Sequence, residues 1–130
     1  MIEHFGEHLT IDGYGGEEKL LDDKNLVAHA LNELVFLLGM KSLAKVQIYK
    51  AEPNNKKDPG GWTGIIALTE SHISIHTFPK RRFVSADVYT CQNGMDTELI
   101  LNYFYKKFGL KDIEKNFLKR GTRYPSHNIE

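Results

Sequence analysis

The chain reads as an α+β domain: a two-layer α/β sandwich in which a mainly antiparallel sheet carries two helices on one face. Three observations predict this. Short stretches with an apolar residue at every second position recur along the chain, as half-buried strands require. Two longer stretches place apolar residues at helical spacing. The middle strands are joined by hairpin-length connections, which favour antiparallel pairing, and both helices then cover one side of the sheet. The other side is left without a cover, so a homodimer is expected.

The elements follow in order. Leu9, Ile11 and Gly13 alternate with His8, Thr10 and Asp12, a first strand that ends at Tyr14-Gly15-Gly16. Asp22 or Asp23 caps a helix, because a carboxylate there accepts from a free backbone N–H. Val27, Ala30, Leu31, Leu34, Val35 and Leu38 form its buried face, Gly39 ends it in a left-handed turn, and His29 falls off the stripe. Val46 and Ile48 alternate with Lys45, Gln47 and Tyr49 in a second strand, and residues 51–61 form a loop rich in Pro, Asn, Lys and Gly. Residues 65–68 are a short apolar run that reads as an interior strand. Residues 69–79 follow almost at once. There Ser71, Ile73, Ile75 and Thr77 point one way, and His72, Ser74, His76 and Phe78 the other, until Pro79 ends the strand. In residues 83–90, Val84, Ala86 and Val88 share one face and Phe83, Ser85, Asp87 and Tyr89 the other, with Cys91 just beyond on the Phe83 side. Asp96 caps a second helix with Ile100, Tyr103, Phe104 and Phe108 as its stripe, Gly109 closes it, and residues 113–119 make a last strand.

At 130 residues the chain is one domain, 1–130, long enough to bury roughly two-thirds of its unfolded surface. Seventeen basic and 17 acidic residues cancel, so no bulk field draws the chain to nucleic acid or to a membrane, and neither partner is expected. Lys80-Arg81-Arg82 and the basic residues Lys119, Arg120 and Arg123 read as solvated surface. The single cysteine, Cys91, has no internal disulfide partner and suits a reducing compartment. Met1-Ile2-Glu3-His4 lacks the basic start and apolar run of a signal peptide. No apolar stretch approaches the ~20 residues of a membrane span. A cytoplasmic location is expected.

Function concentrates in residues 69–79, where polar side chains crowd among β-branched ones. Metal binding by His72 and His76, with Cys91 as a third ligand, fails on distance. Four residues of strand span roughly 13 Å, whereas zinc needs each nitrogen at about 2.0–2.1 Å. Two satisfied histidines beside an ordinary strand serine remain the plain alternative. However, Glu70-Ser71-His72-Ile73-Ser74-Ile75-His76-Thr77-Phe78-Pro79 resembles the processing signature of the small prokaryotic S-adenosylmethionine decarboxylases. The likeness extends along the chain. Phe5-Gly6-Glu7-His8-Leu9, with Asp12, Tyr14 and Gly15, is similar to the family's Gly-x-His-Leu strand and turn. Gly61-Trp62-Thr63-Gly64 stands where the family has a Gly-x-Ser-Gly turn. Asp87-Val88-Tyr89-Thr90-Cys91 resembles its Asp-x-Phe-Thr-Cys, and Arg120-Gly121 its C-terminal Arg-Gly.

The resemblance implies a proenzyme that cuts itself between Glu70 and Ser71 into residues 1–70 and 71–130 and converts Ser71 into a pyruvoyl cofactor. It implies His76 as the proton-abstracting base of processing, with Thr63 assisting in the place of the family serine. It implies Cys91 as the acid that protonates the substrate's α-carbon, against the plain reading of a small buried hydrophobe. S-adenosylmethionine is the implied substrate, decarboxylated to supply aminopropyl groups for polyamine synthesis. Phe78 keeps a face for stacking on adenine, and Tyr49 or Trp62 supplies the second aromatic. Two departures bear on the substrate. Lys80 stands where the family has an acid that holds the ribose, and the loop before Gly61 contains no aromatic. A pyruvoyl decarboxylase of free arginine or ornithine therefore stays open as an alternative, as does an uncut, non-catalytic partner subunit.

Overall fold

The structure, a computed structural model, describes residues 4–54, 57 and 59–124. The readings made on Met1, Ile2 and Glu3, and on part of the 51–61 loop, lie outside the described residues. In chain order the elements are β1 (Gly6–Tyr14), α1 (Glu18–Leu21), α2 (Lys24–Leu37), β2 (Gln47–Ala51), β3 (Gly61–Ala67), β4 (Ser71–Phe78), β5 (Phe83–Thr90), α3 (Thr97–Phe108) and β6 (Asp112–Arg120), with a 3-10 turn at Pro79–Arg81. The strands form one sheet in the order β2-β3-β4-β5-β1-β6, antiparallel at every pairing.

Alternation decides which side each strand residue takes. Leu9 and Ile11 of β1, Ile66 of β3, Ile73 and Ile75 of β4, and Val84, Ala86 and Val88 of β5 face the helices. They join Val27, Ala30, Leu31, Leu34 and Val35 of α2 and Ile100, Leu101, Phe104 and Phe108 of α3 in one core. Burying each large apolar side chain there stabilises the fold by roughly 1.5–3 kcal/mol. The α+β sandwich is thus as the periodicity requires, with both long helices on one side. α1, a single turn that buries Leu21, is an addition the pattern did not announce.

The caps act as their side chains allow. Asp23, rather than Asp22, accepts from the Leu26 N–H, and Asp96 accepts from the Leu99 N–H, each satisfying a free donor at a helix start. Gly109 ends α3 at φ 62, a left-handed backbone that favours glycine. Two local readings are corrected. Gly61-Trp62-Thr63-Gly64 is not a turn; it lies within β3, paired with both β2 and β4. Ile65 is not interior either, because alternation sends it and Ala67 to the exposed side while Ile66 and Leu68 enter the core. Among the described residues no helix is long and apolar enough to cross a membrane.

Candidate active site

β3 and β4 meet at a two-residue hairpin. Leu68 N–H donates to the Ser71 carbonyl at 2.9 Å and Ser71 N–H to the Leu68 carbonyl at 3.4 Å, leaving Thr69 and Glu70 at the tip. The tip is tied down from both sides. The Thr69 N–H and hydroxyl both donate to the Lys41 carbonyl, at 2.9 and 3.3 Å. The Glu70 carbonyl accepts the Cys91 N–H at 3.0 Å, a continuation of the β4–β5 ladder past its last pair, Ser71 and Thr90. The Glu70–Ser71 bond therefore carries a hydrogen-bond donor on its carbonyl oxygen, and its serine begins β4. Beside it lies a cleft of about 260 Å³ lined by Gly39, Met40, Lys41, Leu68, Thr69, Glu70, Ser71 and Gln92.

The segment after Cys91 is held through the chain's N-terminal strand. Asn93 donates its side-chain amide to the His4 carbonyl, and the Met95 N–H donates to Glu7 Oε1 at 2.8 Å. Glu7 is buried, and its second oxygen lies 2.9 Å from His4 Nε2. Burial pushes the Glu7 carboxyl up. The bonds from the Met95 N–H, His4 and the Gly94 N–H, with the His4 charge, outweigh it and hold the group below its ordinary value.

Thr63 and His76 are cross-strand neighbours on β3 and β4, with Thr63 Oγ1 3.1 Å from His76 Nδ1. Tyr49 pairs with Thr63 and lies on the same open side, largely exposed. Phe78 packs against Phe83 at 5.5 Å between ring centroids, and Phe83 against Tyr14 at 5.3 Å, an aromatic row across three strands. Trp62 does not share this side. It packs on the helix side, and its indole N–H donates to Asp22 at 3.2 Å. Lys80 lines a separate cleft of about 240 Å³ together with the carboxylates Glu18, Asp22 and Glu52.

The structure thus divides the sequence candidates between two places. Glu70, Ser71 and Cys91 meet at one end of β4. Thr63, His76, Tyr49 and Phe78 gather towards the other. Ser71 and His76 are five residues apart on an unbroken strand, a separation of roughly 17 Å, and alternation points their side chains to opposite sides of the sheet.

Between the two groups lies a polar cluster whose members the sequence reading named one by one without bringing them together. His8, Tyr89 and His72 sit abreast on β1, β5 and β4. Asp87 Oδ1 lies 3.6 Å from His8 Nε2 and 3.5 Å from His72 Nε2, and Asp87 Oδ2 accepts the Ser74 hydroxyl at 3.0 Å. Arg120 reaches His8 Nδ1 at 3.1 Å. Period two does send each of these residues outward. The placement of β1 between β5 and β6, which brings them together, joins residues more than 70 positions apart and leaves no local mark.

The six-stranded antiparallel sheet with its helices on one side is similar to that of a solved decarboxylase. The crystal structure of the adenosylmethionine decarboxylase from Aquifex aeolicus matches at a TM-score of 0.78 and 27% identity, over 92% of this chain and 93% of that one. A family model described as S-adenosylmethionine decarboxylase matches residues 7–121. The S-adenosylmethionine decarboxylase proenzyme of Pyrococcus furiosus is 31% identical over 120 residues, 92% of this chain and 81% of that protein. Proenzyme 2 of Bacillus cereus is 33% identical over 117 residues, 90% and 89% respectively. The chain belongs to the S-adenosylmethionine decarboxylase family.

Proposed function

We propose that this chain is the proenzyme of a pyruvoyl-dependent decarboxylase of S-adenosylmethionine that cuts itself between Glu70 and Ser71, and that its product supplies aminopropyl groups for polyamine synthesis. The decarboxylase class follows from the family. The observation that carries the cut is the Cys91 N–H on the Glu70 carbonyl, 3.0 Å away. Attack by Ser71 Oγ on that carbonyl carbon pushes charge onto the oxygen that this donor already holds. The C–N bond then breaks to leave an ester on Ser71. Removal of the Cα proton of residue 71 by His76 expels the Glu70 carboxylate, and water replaces the nitrogen of residue 71, releasing ammonia. Thr63, bonded to the His76 ring, fixes how that base is presented.

The residues fit the group, since Ser71 starts a strand beside a cleft and its new N-terminus would be free. A pyruvoyl group there would supply a ketone to hold the substrate's amine and an electron sink for the pair left when carbon dioxide departs. The Cys91 thiol returns a proton to the substrate's α-carbon. Phe78 and Tyr49 offer flat faces to adenine, a role that Trp62, on the helix side, does not share.

A second copy of the chain completes the site in this reading. With roughly 17 Å of strand between them, Ser71 and His76 of one chain cannot meet, so His76 and Thr63 act on residue 71 of a partner chain. We place this homodimer in the cytoplasm, in keeping with the single free cysteine. The arginine or ornithine alternative and the non-catalytic one draw no support from the relatives, which are named S-adenosylmethionine decarboxylase proenzymes.

Intact-mass spectrometry before and after borohydride treatment with S-adenosylmethionine tests the proposal. Two fragments, 1–70 and 71–130, with the substrate trapped on the second, are expected. A chain still whole after prolonged incubation would overturn it, and trapping of arginine or ornithine alone would overturn the choice of substrate.

A further inference from the structure

We propose that Tyr89 is a positioning residue for the Cys91 thiol, its hydroxyl aiming the sulfur before proton transfer and hydrogen-bonding to it afterwards. This rests on the reading in which Cys91 protonates the substrate's α-carbon.

The two side chains are two residues apart, on the same side at the end of β5, and Cys91 Sγ lies 3.7 Å from the Tyr89 hydroxyl, within range for a bond involving sulfur. The tyrosine is held on several sides. His72 from β4 stacks on its ring at 5.3 Å and 29°, and His8 from β1 meets it edge-on at 5.6 Å. The Arg120 guanidinium from β6 lies over it at 5.2 Å, as a cation does over an aromatic face. Glycine at position 6 leaves room for the hydroxyl, because a Cβ there would come within 3.3 Å of the Tyr89 oxygen and 2.5 Å of the Thr90 carbonyl oxygen. The hydroxyl therefore keeps one place beside the sulfur.

The chemistry balances without an added reagent. The sulfur's proton goes to the substrate carbon, and the S–H bond's electron pair stays on sulfur as a thiolate. The Tyr89 O–H rotates to donate to it and keeps its own proton. Burial, and then the bond and charge of Cys91, hold the phenol above its ordinary range against the opposing pull of Arg120, so the proton is present to donate. Asp87, His8 and His72 are the other titratable groups around the ring.

Tyr89→Phe removes only the oxygen. Because the chain holds one cysteine, iodoacetamide labelling followed by mass reads Cys91 alone. In Tyr89→Phe the rate of labelling at a fixed pH should fall severalfold as the sulfur loses its hydroxyl partner. The kcat for S-adenosylmethionine should fall roughly tenfold with KM unchanged, while self-cleavage proceeds as in the parent and reports an intact fold. An unchanged labelling rate, or a slowed one with unchanged kcat, overturns the proposal. Cys91→Ala is run alongside: full turnover there overturns the role of Cys91 itself, whatever Tyr89→Phe does.

Discussion

The Glu7 carboxylate is the residue on which the stretch beyond Cys91 hangs, since it takes the Met95 N–H on one oxygen and faces His4 with the other. Its folded value lies below the ordinary 4.5 because the hydrogen bonds and the His4 charge outweigh the burial that pushes it up. A group depressed in this way contributes stability that is fully present above its unfolded value and is lost as the pH falls through the folded one. Thermal melts of the parent should therefore lose stability as the pH drops below about 4.5, and Glu7→Gln should flatten that acid limb while lowering Tm at pH 7. Equal acid slopes in the two proteins would show that Glu7 does not set them.

At the scale of elements, the β3–β4 hairpin carries the proposed cut, and its geometry begins at Gly61. A Cβ at that position would overlap the carbonyl oxygen of Thr77 on β4, and φ is +154 there. The same neighbour is bound on its other side, because the Thr77 hydroxyl takes the Trp62 N–H at 3.0 Å. Gly61→Ala must push β3 and β4 apart. Forcing atoms into a packed site costs about 1–3 kcal/mol, and the strained backbone adds to it. Urea unfolding should show a loss of at least about 2 kcal/mol, with slower cleavage at Glu70–Ser71 because Thr63 and His76 no longer align. Parent-like stability in Gly61→Ala would mean that the close approach relaxes freely.

For the whole molecule, the proposed two-chain site predicts that one chain cannot cut itself alone. Ser71→Ala and His76→Ala chains should each stay uncut by themselves. Refolded together, they should yield mixed dimers in which an intact Ser71 faces an intact His76, and cleavage should return in those alone. The cut fragment would come only from the His76→Ala chain, which mass distinguishes. Sedimentation should give a dimer for the parent. Absence of any cleavage in the mixture, with dimers present, would show that the halves do not complement across chains.

By itself the sequence determined the two long helices and most of the strands, with the side of each that is buried. The alternation at Leu9 and Ile11, the stripe from Val27 to Val35 and the caps at Asp23 and Asp96 are short-range patterns that act within a few residues. The signature at residues 70–79 was legible for a like reason, being one contiguous run. Strand order was not legible: nothing local announces that β1 lies between β5 and β6, where it sets His8 beside Tyr89 and Arg120. Trp62 was misplaced because a run that looks like a turn is strand, and one step of alternation turns an indole from the open side to the helices. Only the tertiary structure decided the donor on the Glu70 carbonyl and the meeting of Thr63 with His76. Both depend on strand pairing between distant segments, whose free energy comes from contacts that no single segment contains.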